Sequence, residues 1–205
     1  MRHRAKSADS KLLARLKARG RGWVFTPADV LDLGTRDAIG SALKRMKAAG
    51  VIRQLRQGIY HYPRANPIVG DVPPSTDDIL AALSRRDGVR FAPSPAAAAN
   101  QLGLSEQVPM RTVVLSDGPS RTLTLGRRQI VIRHTAPRKY RLISGEAGAI
   151  FNALGAFRPG QVDESLRRRL RAAFARQDRP ALLRALPQSP AWMREVLEPI
   201  VAETA

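Results

Sequence analysis

Arg36, Lys44, Arg45 and Lys47 recur at helical spacing within TRDAIGSALKRMKAAG, residues 35–50. Stepping 100° per residue puts Ile39, Ala42, Leu43, Met46 and Ala49 on one side of that helix. The opposite arc holds Arg36, Asp37, Gly40, Ser41, Lys44, Lys47 and Ala48, with Arg45 at its edge. It has cations and small side chains and no large apolar group. Such a face fits a DNA major groove, where bulk would clash and Arg, Lys and Ser reach base edges or phosphates. The helix start adds its own preference for anions. Thr35, Arg36, Asp37, Gly40, Ser41 and Lys44 are the candidates for base contact, Arg45 and Lys47 for phosphate. Arg53, Arg56 and Gln57, on the hairpin that follows, could reach the backbone or minor groove. The plain alternative for any one of them is a solvated charge.

A second basic run, DESLRRRLRAAFARQ (163–177), carries Arg167, Arg168, Arg169, Arg171 and Arg176 around an apolar stripe of Leu166, Leu170, Ala173 and Phe174. It is a candidate surface for a further phosphate stretch or an acidic partner, or simply a solvated arginine face.

Catalytic chemistry finds little support. The sequence has no cysteine and three histidines, His3, His61 and His134, which rules out disulfides and thiolate nucleophiles. The patterns HExxH, GxSxG, GxGxxG and the phosphate-binding P-loop are absent. The carboxylates Glu106, Asp117, Glu146, Asp163 and Glu164 are scattered, and LSDGPSRT (115–122), with a single glycine, is better read as a tight turn than a phosphate cradle. We therefore expect a non-enzyme with no catalytic residue, metal site or cofactor.

Charge agrees with a polyanionic partner. The 205 residues carry a formal net charge of +18, and residues 1–63 hold 14 of the 35 Lys/Arg against 4 of the 17 Asp/Glu. The first residues lack an apolar secretory core, and no apolar run reaches about 18 residues, so a cytoplasmic protein with no membrane partner is expected.

The elements that must position these groups can be read from caps and periodicity. Leu12, Leu13 and Leu16 mark a helix near 8–18. Thr26 and Pro27 open a two-turn helix ending at Gly34, and Thr35 caps the helix 36–49. VIRQL (51–55) and GIYHY (58–62) form a hairpin, with Tyr60 and Tyr62 facing the core and His61 facing outward. Three helices and a hairpin predict a winged helix-turn-helix over 1–63. RANPIVGDVPPS (64–75) reads as a linker. Residues 76–205 then predict an α+β domain: a helix at 76–86, a short strand 89–93, a helix 95–104, an antiparallel meander of 111–116, 121–126 and 128–135, and helices at 144–157, 162–177, 179–187 and 190–203.

Three blocks carry a family likeness: GWVFTPADVLDLGTRDAIGSALKRMKAAGVIRQLRQGIYHYP (22–63), APSPAAAANQLGLSEQVP (92–109) and VVLSDGPSRTLTLGRRQIVIRHTAPR (113–138). Together they resemble the AbiEi family of antitoxins, in the branch with a winged-helix N-domain and an antitoxin C-domain. The resemblance implies a two-gene toxin–antitoxin or phage-defence locus. It implies an N-domain that binds inverted repeats of double-stranded promoter DNA and represses its own transcription. It also implies a C-domain that counteracts a nucleotidyltransferase-like toxin, directly or indirectly. The alternative is a plain winged-helix regulator whose C-domain senses a ligand or dimerises.

Overall fold

The computed structural model describes residues 7–66, 68, 70–107, 110–145 and 147–203. His3 and Glu146, and Val108–Pro109 at the end of the second family block, lie outside the described residues. The fold is mixed α+β with small sheets. It divides into two units. One runs to Val89 and takes in the hairpin tip Thr124–Arg128; the other holds Arg90–Leu123 and the chain from Gln129 onward.

In the first unit, α1 (Ala8–Arg19) starts where the Ser7 side chain accepts from Ser10 N and stops at Gly20, whose φ of 84° suits glycine. Leu12 and Leu16 are buried on its inner face. β1 (Val24–Phe25) follows. Pro27–Leu33 is a 3-10 helix, where an α-helix was expected; Asp29 ties its first turn back to Thr26 N at 2.8 Å. Gly34 is extended, so the run closes before an α-helical ladder can extend.

Thr35 caps α2 (Arg36–Ala48), which buries Ile39, Ala42, Leu43 and Met46. Ala49, expected on the same face, is exposed because it is the C-terminal cap. β2 (Arg53–Arg56) and β3 (Ile59–His61) pair antiparallel around a turn that Gly58 enters at φ 75°. The strand order is β1-β3-β2. Trp23, Phe25 and Tyr60 stack in sequence, with centroids 4.7 and 5.7 Å apart.

His61 departs from expectation: it is only 2% exposed. Alternation does put it opposite Tyr60, but β3 is the central strand and both its faces are covered. His61 lies beside Pro73, Pro74, Ser75 and Asp78, so the chain returning over the sheet buries the side read as outward.

Within the stretch read as a linker, β4 (Arg64–Asn66) pairs antiparallel with β5 (Gly70–Val72). α3 (Thr76–Asp87), expected to open the second domain, groups with the first unit. Its Arg85 bonds Asp29 Oδ1 at 2.7 Å and Val24 O at 2.9 Å, and Ile79, Leu80, Ala82 and Leu83 are buried.

The second unit contains β6 (Phe91–Pro93), α4 (Pro95–Gln101), β7 (Thr112–Ser116) and, apart from their shared tip, β8 (Arg121–Leu125) and β9 (Arg128–His134). The expected meander is corrected. The order is β6-β7-β9-β8, and β7 pairs with β9 in parallel. β9 folds back from β8 and inserts between it and β7. The 116–120 connection secures its end: His134 N donates to Ser120 Oγ at 2.8 Å, and Thr135 N to Ser116 O at 2.8 Å.

Helices follow: α5 (Pro137–Ser144), α6 (Gly148–Leu154), α7 (Glu164–Phe174), α8 (Arg179–Ala185) and α9 (Ala191–Glu203). α6 stands, shorter, where a helix was expected over 144–157, and α5 forms in a stretch for which no helix was expected. Leu104, Ile150, Phe151, Leu154, Leu166, Leu170, Phe174, Leu197 and Ile200 form the core.

Candidate nucleic-acid interface

The exposed face of α2 is built from the expected residues. Thr35 holds the helix start, its Oγ1 accepting from Ala38 N at 3.3 Å. Arg36, Asp37, Gly40, Ser41, Lys44, Arg45, Lys47 and Ala48 all reach solvent, while Ile39, Ala42, Leu43 and Met46 anchor the opposite face in the core. Arg36 and Lys44 are eight residues apart, hence about 12 Å along the axis.

Gly40 occupies the middle of this face. A Cβ built there meets nothing within 4 Å. A glycine inside a helix costs roughly 1 kcal/mol relative to alanine, and no packing among the described residues accounts for it.

The cations differ in their engagements. Arg36, Lys44 and Arg56 form no ion pair with any described residue. Arg45 is committed to Asp9 of α1, through Nε to Oδ2 at 2.9 Å and Nη2 to Oδ1 at 2.7 Å. Those hydrogen bonds hold the Asp9 carboxyl below its ordinary pKa and raise that of Arg45. Lys47 Nζ donates to Gln54 Oε1 at 2.9 Å, tying the last turn of α2 to β2. Arg53 is paired with Asp71 of β5. Arg56 and Gln57 lie exposed at the hairpin tip. Among the described residues, three cations are thus exposed without an ion-pair partner, and three are partly spent on holding the unit together.

The second basic run is less unified than its composition. Arg171 joins Glu164 at 2.8 Å and Glu203 of α9 at 2.7 Å, hydrogen bonds that raise its pKa further. Arg167 is half-buried. Arg168 and Arg169 remain exposed on α7, about 100° apart, and Arg176 is exposed in the turn beyond its end.

Sequence reading missed a notch of about 410 Å³ in the first unit. Arg19, Arg21 and Arg64 line it beside Trp23 and His61. The Arg19 guanidinium lies 5.6 Å from the Trp23 ring, and Arg21 lies 5.0 Å from Tyr62. Arg21 and Arg64 are far apart in the chain, so no local spacing announces the pair. A cavity in the second unit was missed as well; Phe151, Asn152 and Trp192 are among its walls.

Among the described residues, no three His, Asp or Glu side chains come together as a metal site would require. No helix among them is long and apolar enough to cross a membrane.

With this geometry in view, the chain can be compared with others. A model of DUF6088, a family of unknown function, matches residues 11–182, and the chain belongs to that family. Curated proteins give no match. A similar solved structure is that of the RV2827C protein from Mycobacterium tuberculosis, at 18% identity and a TM-score of 0.42, covering 93% of this chain and 80% of that one.

Proposed function

We propose that the first unit is a winged helix-turn-helix that binds double-stranded DNA, with α2 in the major groove and the β2–β3 hairpin on the adjacent backbone. The observation that carries this reading is the exposed face of α2. Arg36 and Lys44 form no ion pair with a described residue, Ser41 lies between them, and Gly40 leaves the helix backbone open where no described residue packs. Close approach of a helix to base edges needs such a surface. Arg36 at the first turn also adds to the positive end of the helix.

On this reading the protein is the antitoxin and autorepressor of a two-gene toxin–antitoxin or phage-defence operon. It represses transcription from inverted repeats in its own promoter. The second unit counteracts a nucleotidyltransferase-like toxin and has no enzymatic role. The likeness of residues 92–109 and 113–138 to AbiEi antitoxins supports this half of the proposal, and cytoplasmic residence follows from the partners.

The test is the double variant R36E/K44E, assayed for binding to DNA upstream of its own gene and for rescue of cells expressing the adjacent gene. Charge reversal is preferable to removing residues 1–63, because α3 packs in the first unit and would lose its cover. Loss of DNA binding with rescue retained is the expected outcome. Full DNA binding by the variant would sink the assignment of α2. Failure of the neighbouring gene to harm cells would sink the antitoxin reading.

A further inference from the structure

The notch in the first unit forms where the pairing of β1 with β3 runs out. Tyr62 N donates to Trp23 O at 2.9 Å and Gly22 N to Tyr62 O at 2.7 Å. Beside them Arg19, Arg21 and Arg64 converge from α1, the turn after it and β4. All three are exposed, and none forms an ion pair with a described residue. Each is nevertheless held in place. Arg19 lies over the Trp23 ring and Arg21 over that of Tyr62. Arg21 Nη1 donates to Pro63 O at 3.1 Å, and Arg64 Nη2 to Arg21 O at 3.4 Å. Gly22 leaves room for this arrangement: a Cβ there would stand 3.2 Å from Arg64 Nη2. Asp78, the carboxylate at the notch, is engaged with its own helix start, its Oδ2 accepting from Ser75 N at 3.1 Å and Ser75 Oγ at 2.6 Å.

Three guanidinium groups so placed repel one another, and a bound phosphate, which arginine meets through two parallel N–H groups, relieves them. The rings narrow the class of ligand. Trp23 already carries Phe25 at 4.7 Å and Arg19 at 5.6 Å, and Tyr62 is 7% exposed beneath Arg21. A single strand, held by stacking its bases on aromatic faces, finds no open platform here. The notch suits a ligand read by charge, as the sugar–phosphate ridge of a duplex is. The hairpin tip lies at the other end of β3. Gly58 and Arg64 are separated by up to about 20 Å of extended chain, so tip and notch meet different phosphates.

We infer that the notch is a second DNA-backbone site, which takes a duplex segment other than the one held by α2 and the β2–β3 hairpin, so that one chain joins two duplex segments. The inference rests on the proposed DNA binding by α2.

The test is a bridging assay with the full chain. A duplex from upstream of its own gene is immobilised and loaded with protein, and a labelled duplex of random sequence is then added. Wild type should capture the labelled duplex, and less of it as salt rises. R21Q/R64Q removes two charges at exposed positions and keeps an amide donor for Pro63 O. It should hold the immobilised duplex within about twofold of wild type yet capture at least about tenfold less labelled duplex. Arg19→Gln, an independent change, should also reduce capture, and R168Q/R169Q on α7 should not. Undiminished capture by R21Q/R64Q, or loss of capture in R168Q/R169Q, would overturn the site. So would a wild type that holds the first duplex and captures no second, an outcome that leaves the assignment of α2 standing. A wild type that does not hold the immobilised duplex would sink that assignment and this inference together.

Discussion

Arg45 of α2 grips Asp9 of α1 through both sides of its guanidinium, at 2.9 and 2.7 Å. That pair restrains a cation that helical spacing alone would assign to DNA. Arg36 and Lys44 carry no such restraint. Arg36→Ala should therefore weaken promoter binding by about tenfold or more, and Arg45→Ala by less. Asp9→Asn frees Arg45 and removes a negative charge, so non-specific DNA binding should strengthen a few-fold. Gel-shift titrations at one fixed salt concentration measure all three. An Arg45→Ala defect larger than that of Arg36→Ala would overturn this ranking.

Salt dependence counts the cations that reach phosphate. Each phosphate neutralised contributes about −0.9 to the slope of log K against log salt. Lys47 and Arg56 as phosphate contacts, with Arg36 or Lys44 adding to them, give a slope near −3 per chain. Arg56→Ala should reduce it by about 1 and lower affinity alike on specific and random DNA. A slope unchanged by Arg56→Ala would place the hairpin tip away from the DNA.

His61 gives the first unit a pH dependence. Burial lowers its pKa below the ordinary value of about 6.5, and Arg53 lowers it too, against opposite pulls from Asp78 and Asp71. The unfolded chain then takes up a proton at a pH where the folded chain does not. Stability is full above about pH 6.5 and falls as pH drops toward the folded pKa, by up to about tenfold in the folding equilibrium per pH unit. Asp9, Asp32 and Asp117, held below the ordinary carboxylate value by hydrogen bonds involving Arg45, Arg15 and Arg90, act in the same sense but lose their contribution only below about pH 4. Thermal melts of wild type and His61→Gln between pH 7.5 and 5 separate the two windows. The variant should show a flatter profile. Parallel profiles would mean that His61 does not titrate between the two states.

Gly148 opens α6 against the end of α5. A Cβ there would come within 2.3 Å of Ile143 C and O, both backbone atoms that cannot swing aside. Gly148→Ala should destabilise the second unit by about 1–3 kcal/mol, the usual cost of overpacking. Calorimetry should show a lowered transition for that unit. The α2 surface should keep its DNA affinity, because the two lie in different units. An unchanged melting profile would mean that α5 and α6 separate without cost.

The sequence made α2 legible because a cap and a 3.6-residue period both act locally. Thr35 fixes the start, and Ile39, Leu43 and Met46 choose the inner face. Long-range choices were not legible. Alternation in β3 separates Tyr60 from His61 but does not say that a returning chain will cover the second face. Alternation in β7, β8 and β9 likewise carries no record of partner, so a parallel β7–β9 pair passed for a meander. α5 escaped notice because no capping side chain precedes PRKYRLIS and two cations, not acids, stand in its first turn, against the usual preference at a helix start. The Arg45–Asp9 pair spans 36 residues and leaves no spacing to detect. The candidate DNA face was therefore readable in outline, whereas the division of its cations between DNA and scaffold was not.

Gly40 offers the sharpest separation of folding from function. It lies within α2, it does not adopt a positive φ, and a methyl group added there would touch no described residue. Gly40→Ala should then stabilise the first unit by about 0.5–1 kcal/mol through helix propensity alone. A substitution that helps the fold has no reason to harm a surface with another purpose. On a helix lying against base edges, however, the added methyl group intrudes at the point of closest approach, and bulkier side chains intrude further. DNA affinity should fall from Gly40→Ala to Gly40→Leu while the melting temperature stays above that of wild type in both. Thermal melts and gel shifts on the same preparations decide it. If both variants are more stable and bind DNA as wild type does, the glycine face of α2 is not the one that meets the groove, and the assignment of base contacts to Arg36, Ser41 and Lys44 fails with it.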